Sequence, residues 1–154
     1  MSKRRDLIRM TPDELEAYLA RRQTMNVATF NHDGTIHLVA MWYGFYEGKL
    51  AFETFTKSQK IQNLKRDPRI SVLMESGEQY EELKGAEIVG SATVSDDPDV
   101  VMPVARSVVE RYFPVDKPED AEAIAIGLAH KRSAVIIEPA KTVSWDHTKL
   151  GGTY

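Results

Sequence analysis

Between residues 25 and 55 the sequence contains a series of strand-forming segments separated by two tight turns. Residues 26–30, 36–46 and 50–55 have the length and the branched and aromatic content of β-strands. Between them lie His32-Asp33-Gly34 and Glu47-Gly48, and a glycine after a polar residue is typical of hairpin turns. The pattern therefore predicts three antiparallel strands joined as a meander.

The second of these strands, residues 36–46, carries largely apolar side chains on both of its faces. Such a strand must be covered on both sides. We expect one face to meet the barrel interior and the other to meet either a second subunit or a ring-shaped ligand. A single small barrel has too little interior to cover all of these side chains, so the pattern predicts a homodimer.

The rest of the chain is predicted to mix helices and strands. Thr11 and Pro12 begin a helix, and the capping-box spacing from Thr56 to Gln59 begins a second one that ends at Asp67-Pro68. Further strands are predicted at residues 70–75, 87–95, 134–138 and 142–145, and further helices from Asp97-Pro98 and over residues 118–128. Hairpin-linked strands without regular β-α-β alternation predict one α+β domain, residues 1–154, with an antiparallel barrel flanked by helices.

The composition excludes several kinds of chemistry. The chain has no cysteine, so disulfides, thiolate nucleophiles and iron–sulfur clusters are ruled out, and any redox activity must use a bound cofactor. The net charge of −3 argues against nucleic acid as a partner. No apolar run is long enough for a membrane span or for a signal peptide, so the expected location is the cytoplasm.

The sequence contains no motif of a self-sufficient catalytic site. We find no G-x-S-x-G, H-E-x-x-H, Walker or G-x-G-x-x-G pattern, and the four histidines share no ligand spacing. Neither a catalytic side chain nor a metal site is therefore predicted. His37 is the histidine for which a ligand contact is the main alternative to a structural role.

The strongest local signal is the strand-to-helix corner formed by residues 54–60. Free backbone amides at a helix start attract anions, and Thr54 and Ser58 add hydroxyl groups there while Lys57 and Lys60 add positive charge. This composition is typical of a phosphate clamp. It is equally compatible with an ordinary capped helix bearing solvated lysines, although cations at a helix start are mildly unfavourable unless an anion is bound.

Two further segments admit both a structural and a ligand-binding interpretation. The stretch Val39-Ala40-Met41-Trp42-Tyr43 offers flat and polarizable side chains that suit a tricyclic ring, but apolar strand residues usually belong to the core. Trp145, near the C-terminus, has the same two interpretations.

Taken together, these segments resemble the pyridoxamine 5'-phosphate oxidase-like split β-barrels. The resemblance covers most of residues 11–147, and its most specific part runs from Ser58 through Lys60 and Asn63-Leu64 to Asp67-Pro68-Arg69. Within this family the chain is most similar to the deazaflavin-dependent group that uses coenzyme F420. The resemblance implies a homodimer with the cofactor in an interfacial groove.

The same resemblance assigns roles to individual residues. It implies that Ser58 and Lys60 bind the cofactor phosphate, that Thr54 contacts the cofactor, and that residues 39–42 form a platform for its ring. His37 would reach the ring edge, and Trp145 would complete the site. Tyr43, His37 and the loop around Tyr80 are expected to line the substrate side.

The function implied is hydride transfer from reduced coenzyme F420 to a small, conjugated, electron-poor substrate. The chain departs from true pyridoxamine phosphate oxidases, because only His147 and Lys149 follow Trp145 where those enzymes place an arginine and a histidine, and because Gln59 replaces an arginine beside Lys60. The alternatives are a reductase of this family that binds flavin mononucleotide (FMN), and a protein that binds a flavin, deazaflavin, haem or lipid without turnover.

Overall fold

A computed structural model describes residues 3–152. Its seven strands are β1 (Met25–Phe30), β2 (Ile36–Met41), β3 (Gly44–Tyr46), β4 (Lys49–Phe55), β5 (Arg69–Ser76), β6 (Lys84–Ser95) and β7 (Arg132–Asp146). Its α-helices are α1 (Arg4–Ile8), α2 (Pro12–Leu19), α3 (Gln59–Arg66), α4 (Pro98–Tyr112) and α5 (Pro118–Ala129). Within this described part of the chain, no helix is both long and apolar enough to span a membrane.

The strands form one antiparallel sheet in the order β2-β1-β5-β6-β7-β4-β3. The two edge strands, β2 and β3, are joined directly by Trp42 and Tyr43, so their ends lie within roughly 10 Å of each other. The sheet must therefore curl until its edges approach. This is the predicted α+β split barrel with flanking helices, and the prediction is confirmed.

The predicted strand over residues 36–46 is wrong in one respect, because it is two strands. β2 pairs only with β1, whereas β3 pairs with β4 at the opposite edge of the sheet. Tyr43 leaves the strand between them and is fully buried, with its hydroxyl donating to the Leu19 carbonyl at 2.6 Å. An apolar side chain can be buried in a sharp crossover as fully as in a strand. The apolar pattern of residues 36–46 therefore did not show that β2 ends before Tyr43.

The two strands predicted at residues 134–138 and 142–145 form the single strand β7. Pro139 lies inside it, opposite Gly90, where the pairing with β6 shifts by one residue. The bulge tolerates a residue without an N–H group. A side chain at Gly90 would place its Cβ 2.0 Å from the Glu138 carbonyl oxygen, so glycine permits this close approach.

The predicted helices are present. Thr11 and Glu14 form a reciprocal capping box on α2, and Asp97 caps α4, which has the predicted buried face. Side chains from the strands, from α3 and from the crossover between β2 and β3 fill the barrel interior; the largest fully buried members are Tyr43, Phe52, Met25, Ile61, Met74 and Ile137. Helices α4 and α5 pack outside, against Ala51, Ala134 and Ile136 of β4 and β7.

One outer face of the sheet is left bare. The register places Leu38, Ala28, Ser71 and Val89 in one row across β2, β1, β5 and β6. Leu38 is 69% exposed and Ile36, two residues earlier on the same face, is 63% exposed. We call this surface the open face; it also carries a shallow cavity of about 310 Å³ between Phe30, Ile36 and Val89.

Candidate functional site

The candidate site lies at the gap between the two approaching edges of the sheet. Because β3 pairs only with residues 49–51, the rest of β4, residues 52–55, has no strand neighbour on its β3 side and faces β2 across an opening that we call the seam. A cavity of about 380 Å³ lies there; it is lined by Thr24, Ala40, Met41, Trp42, Glu53, Leu128 and Arg132. The predicted ring platform therefore lines the same cavity as residues of β4 and β7.

The corner between β4 and α3 borders the seam. Helix α3 begins at Gln59 with Ser58 as its N-cap, and the predicted capping box from Thr56 to Gln59 is wrong. The Thr56 hydroxyl instead shares a 2.8 Å hydrogen bond with Ser133 of β7, and Thr54 is buried opposite Ser133. Ser58 makes no side-chain capping bond, so the first amides of α3 have no such acceptor.

A buried amide fixes α3 to the barrel. Asn63 is fully buried and donates to the Thr29 hydroxyl at 3.1 Å and to the Asn31 side chain at 3.0 Å. Its own oxygen accepts from Gln59 at 2.8 Å. His37 lies directly opposite Thr29 in the β1–β2 pair, so this network ties the start of α3 to the part of β2 that carries His37.

Two buried polar atoms near this network lack a hydrogen-bond partner within residues 3–152. They are Ser58 Oγ and His37 Nδ1. An orphaned buried polar atom is uncommon in a folded protein, and it indicates a missing partner such as a ligand or water. The Ser58 hydroxyl and the first amides of α3 are hydrogen-bond donors, which is what the oxygens of a phosphate group need, so the corner fits such a group.

A buried ion pair forms the opposite wall of the seam. Arg132 Nη1 lies 2.7 Å from Glu53 Oε2, and the guanidinium also stacks on Phe55 with 4.2 Å to the ring centroid. Glu53 is only 6% exposed, and its burial raises the pKa of its carboxyl despite the attraction of Arg132. No local signal in the sequence reveals this pair, because its members are 79 residues apart.

The two clamp lysines differ. Lys57 is exposed, whereas Lys60 is half-buried. Burial lowers the pKa of the Lys60 ammonium, and the nearby positive charge of Arg132 lowers it further, against a smaller opposing effect of Glu53. The surroundings of Lys60 therefore disfavour its positive charge. A bound anion would stabilise that charge.

The predicted ring platform is only partly available at the surface. Val39 and Met41 pack against the core on the barrel-facing side of β2, while Ala40 faces outward. Trp42, half-exposed, stacks on Tyr112 with ring centroids 4.8 Å apart, and Phe113 supports it edge-on at 5.6 Å. One flat face of Trp42 is thus held rigidly beside the seam.

Tyr43 does not line the site, contrary to the expectation from the sequence. Its ring is fully buried, and its hydroxyl is engaged by Leu19 and Gln23. Arg111 covers the ring at 4.5 Å and donates to the Tyr43 carbonyl. The residue therefore anchors the crossover between the sheet edges.

Trp145 is not brought to the clamp of its own chain. It lies opposite Gly85, whose missing side chain makes room for the indole; an added Cβ would come within 2.2 Å of it. From Trp145, β7 extends roughly 40 Å before it reaches Arg132 at the seam. His147 and Lys149 lie near Trp145 and are occupied by the Tyr80 carbonyl and by Glu14, respectively.

Residues 11–143 match the family model described as pyridoxamine 5'-phosphate oxidase. The chain belongs to this family of split β-barrels. A conserved hypothetical protein from Mycobacterium tuberculosis is 38% identical, with a TM-score of 0.90, and the match covers 99% of this chain and 95% of that one. None of the curated proteins compared with the sequence matches it.

More distant structures share the fold. One is titled F420 reductase: it is 24% identical with a TM-score of 0.62, and the match covers 82% of this chain and 94% of that one. Another is HutZ of Vibrio cholerae, whose title describes haem storage; it is 16% identical with a TM-score of 0.68, over 86% of this chain and 94% of that one. Both confirm the architecture.

Proposed function

We propose that this protein is an oxidoreductase that binds coenzyme F420 at the seam and catalyses hydride transfer from its reduced form to a small, conjugated, electron-poor substrate. The observation that carries the proposal is the corner at the start of α3. There Lys60 is half-buried near an already paired carboxylate, and Ser58 presents a buried hydroxyl without a partner in the described chain. A phosphate group would supply a negative charge for the Lys60 ammonium and a hydrogen-bond acceptor for the Ser58 hydroxyl.

The proposed roles of the other seam residues follow from their positions. Thr54 adds a buried hydroxyl at the end of β4, Lys57 adds charge at the rim, and His37 contacts the cofactor from β2. Trp42, supported by Tyr112, offers a fixed flat surface beside the outward-facing backbone edge of β2. The protein would thus bind and orient a ring and shield it from water, which is its share of the catalysis in cofactor enzymes.

When bound, reduced coenzyme F420 supplies the hydride, so no nucleophilic side chain is needed. This agrees with a seam whose ionisable groups are engaged in an ion pair or suited to an anion. The fold shared with a structure titled F420 reductase supports the choice of cofactor. FMN is the alternative cofactor, because the same corner suits either phosphate.

We further propose that the protein is a homodimer formed through the open face. Ile36, Leu38 and Val89 leave an apolar surface there that a second copy would cover. The position of Trp145 supports this choice of partner. Trp145 lies on the same side of the sheet as Val89 and at the end of β7 that is farther from the clamp, so a second copy packed on the open face would bring its own Trp145 toward this surface.

Turnover separates this proposal from a cofactor carrier. The purified protein is mixed with reduced F420 and a panel of quinones and enones, and oxidation of the cofactor is followed by its absorbance. We expect oxidation that depends on both protein and acceptor, and a much lower rate for Lys60→Ala at subsaturating cofactor. Binding without any acceptor-dependent oxidation would identify a carrier instead.

A further inference from the structure

The cavity at the seam is lined by one cationic side chain, that of Arg132. The rest of its described lining is apolar, apart from the hydroxyl of Thr24 and the carboxylate of Glu53. The predicted ring platform on β2 forms one wall, and the Glu53–Arg132 pair of β4 and β7 forms the opposite one. A small molecule in this cavity therefore lies between β2 and the guanidinium of Arg132.

Arg132 keeps hydrogen-bond donors that no part of the described chain uses. A guanidinium carries five N–H groups in one plane. The side-chain partner of Arg132 in residues 3–152 is Glu53, which accepts from Nη1 at 2.7 Å, so Nε and Nη2 have no protein acceptor. The side chain is 22% exposed, and neither nitrogen is among the sealed-off polar atoms of the described chain. These N–H groups are therefore accessible to a ligand.

Arg132 also borders a second cavity, of about 520 Å³, between α4 and α5. Two other ionisable residues line that cavity, Asp96 and His130, and within the described chain neither forms an ion pair or a hydrogen bond with Arg132. Asp96 instead accepts from the Ser133 hydroxyl. The guanidinium is thus fixed by Glu53 and by the ring of Phe55, 4.2 Å away, and its free donors are not taken by a second carboxylate.

A fixed cation at this wall suits a reaction in which negative charge develops on an oxygen. When a conjugated ketone receives a hydride at its β-carbon, the electrons of its C=C bond shift toward the carbonyl, and the oxygen becomes an enolate oxyanion. A proton from water at the α-carbon completes the two-electron reduction, while the cofactor that gives up the hydride is oxidised and releases one proton to water. N–H groups already held in place stabilise such an oxyanion without having to reorganise.

We propose that Arg132 is a catalytic residue of the seam, whose free N–H groups bind the carbonyl oxygen of a conjugated ketone and stabilise the enolate oxyanion that hydride transfer creates. The inference rests on the proposed function, and it names conjugated carbonyl compounds as the substrate class. Glu53 is a positioning residue, because its carboxylate holds the guanidinium at the wall of the cavity.

The oxyanion site is tested with para-nitrophenol, whose visible absorbance reports whether its oxygen is ionised. The full chain is titrated without cofactor, so the result does not depend on cofactor binding. We expect the wild-type protein to bind the phenolate about tenfold more tightly than the neutral phenol, so that the pKa of the probe falls on binding. If the wild-type protein does not lower the pKa of the probe, whether or not the probe binds, the role of Arg132 is refuted.

A double variant separates the N–H donors from the net charge. Glu53→Gln combined with Arg132→Met removes one negative and one positive charge, so the pair stays neutral but the guanidinium is lost. We expect the preference for the phenolate to disappear, whereas Glu53→Gln alone should retain it; a preference that survives in the double variant overturns the proposal. Lys60 is present in every variant, so its charge does not explain a difference between them.

The control is Arg106→Met, which also removes an arginine paired with a glutamate, Glu122, but on the surface of α4 and α5. It should bind the probe as the wild-type protein does. Circular dichroism and thermal melting check that the variants are folded. If the double variant does not fold, Arg132→Lys takes its place: its ammonium can still pair with Glu53 but lacks the planar set of donors, and it should lose most of the preference.

Turnover then tests the catalytic role. With reduced F420 and a conjugated ketone, the double variant should lower kcat/KM for the ketone by about a hundredfold and leave the dissociation constant of F420 unchanged. If the affinity for F420 falls as far as kcat/KM, Arg132 is a cofactor ligand and the proposal is overturned. If the wild-type protein does not bind F420, the proposed function fails, and the phenolate titration still decides whether Arg132 binds an oxyanion.

Discussion

Arg132 begins β7 with its guanidinium 2.7 Å from the Glu53 carboxylate and stacked on Phe55. The contact joins β4 to β7 at the point where the sheet opens into the seam. Because Glu53 is almost fully buried, removing Arg132 should lower the stability of the fold more than breaking an ordinary surface ion pair does.

Arg132→Met should destabilise the protein by about 2–3 kcal/mol, because it leaves the Glu53 carboxylate buried without a cation. This loss of stability should be smaller than the loss from breaking a fully buried ion pair, because Arg132 retains some contact with water. Glu53→Gln in the same chain should recover part of it. Chemical denaturation of the two single variants and the double variant measures this coupling.

The Lys49–Glu138 pair provides the matched control. Its nitrogen and oxygen are also 2.7 Å apart, but both side chains are nearly half exposed. Lys49→Met is expected to change the free energy of unfolding very little. Equal losses from the two pairs would contradict the view that burial, and not distance, gives the Glu53–Arg132 contact its importance.

Lys60→Ala should weaken cofactor binding by roughly ten- to a hundredfold, because it removes a charge-assisted hydrogen bond worth about 1.5–3 kcal/mol. The stability of the ligand-free protein should change by no more than about 0.5 kcal/mol, or rise slightly, since the site disfavours this charge. Fluorescence titration and thermal melting of the same variant measure both effects.

Lys65→Ala is the control for that experiment. Lys65 lies on the same helix but is nearly half exposed and near Asp96. We expect its substitution to leave cofactor affinity unaltered. If Lys60→Ala had no larger effect on affinity than Lys65→Ala, Lys60 would be a solvated helix residue and not a phosphate ligand.

Cofactor affinity should decline as the pH rises, before ordinary lysines lose their protons. The pKa of Lys60 lies below 10.5 in the folded protein, so its charge is lost early on the alkaline side. Between that lowered pKa and 10.5 the unfolded chain binds more protons at this site, so Lys60 destabilises the fold less as the pH rises. The stability of the wild-type protein relative to Lys60→Ala should therefore increase over the same range.

Lys60→Arg tests the pH dependence directly, because arginine keeps its charge throughout this range. The variant should bind the cofactor with an affinity that stays nearly constant where that of the wild-type protein falls. An identical decline in both proteins would assign the titration to another group, such as the cofactor itself.

Leu38→Lys should convert the proposed dimer into a monomer. Leu38 is the most exposed large apolar residue of β2, so a lysine there loses no buried contact within the chain but introduces a charge at the proposed interface. Ile126→Lys is the control, because Ile126 is also an exposed apolar residue but lies on α5, away from the open face. This variant should remain dimeric. Light scattering at micromolar concentration compares them, and a wild-type mass of 17.4 kDa would rule out the dimer.

Much of the fold could be predicted because local signals and tertiary packing agree. The capping box at Thr11 and the proline starts of α2, α4 and α5 are local features, and each helix begins where they indicate. The predicted turns at His32-Asp33-Gly34 and Glu47-Gly48 are also present, between β1 and β2 and between β3 and β4. The break at Trp42 and Tyr43 could not be predicted, because the choice between continuing β2 and crossing to the far edge depends on how the whole sheet curls.

The candidate site was predictable only where it is contiguous in sequence. The corner from Thr54 to Lys60 was found because its hydroxyls and lysines lie within seven residues of one another. Glu53 and Arg132 were missed, because their partnership arises from the pairing of β4 with β7. Pattern alone also could not show that Val39 and Met41 face the core while Trp42 remains exposed.

Retention of cofactor after desalting shows whether the seam is a deazaflavin site. The protein is incubated with oxidised coenzyme F420 or with FMN, desalted, and its absorption spectrum recorded. We expect F420 to remain bound at close to one per chain and to be retained better than FMN, and Lys60→Ala to lose most of it. Retention of FMN with a tenfold preference over F420 would make FMN the cofactor, and retention of neither would rule out a deazaflavin site at the seam.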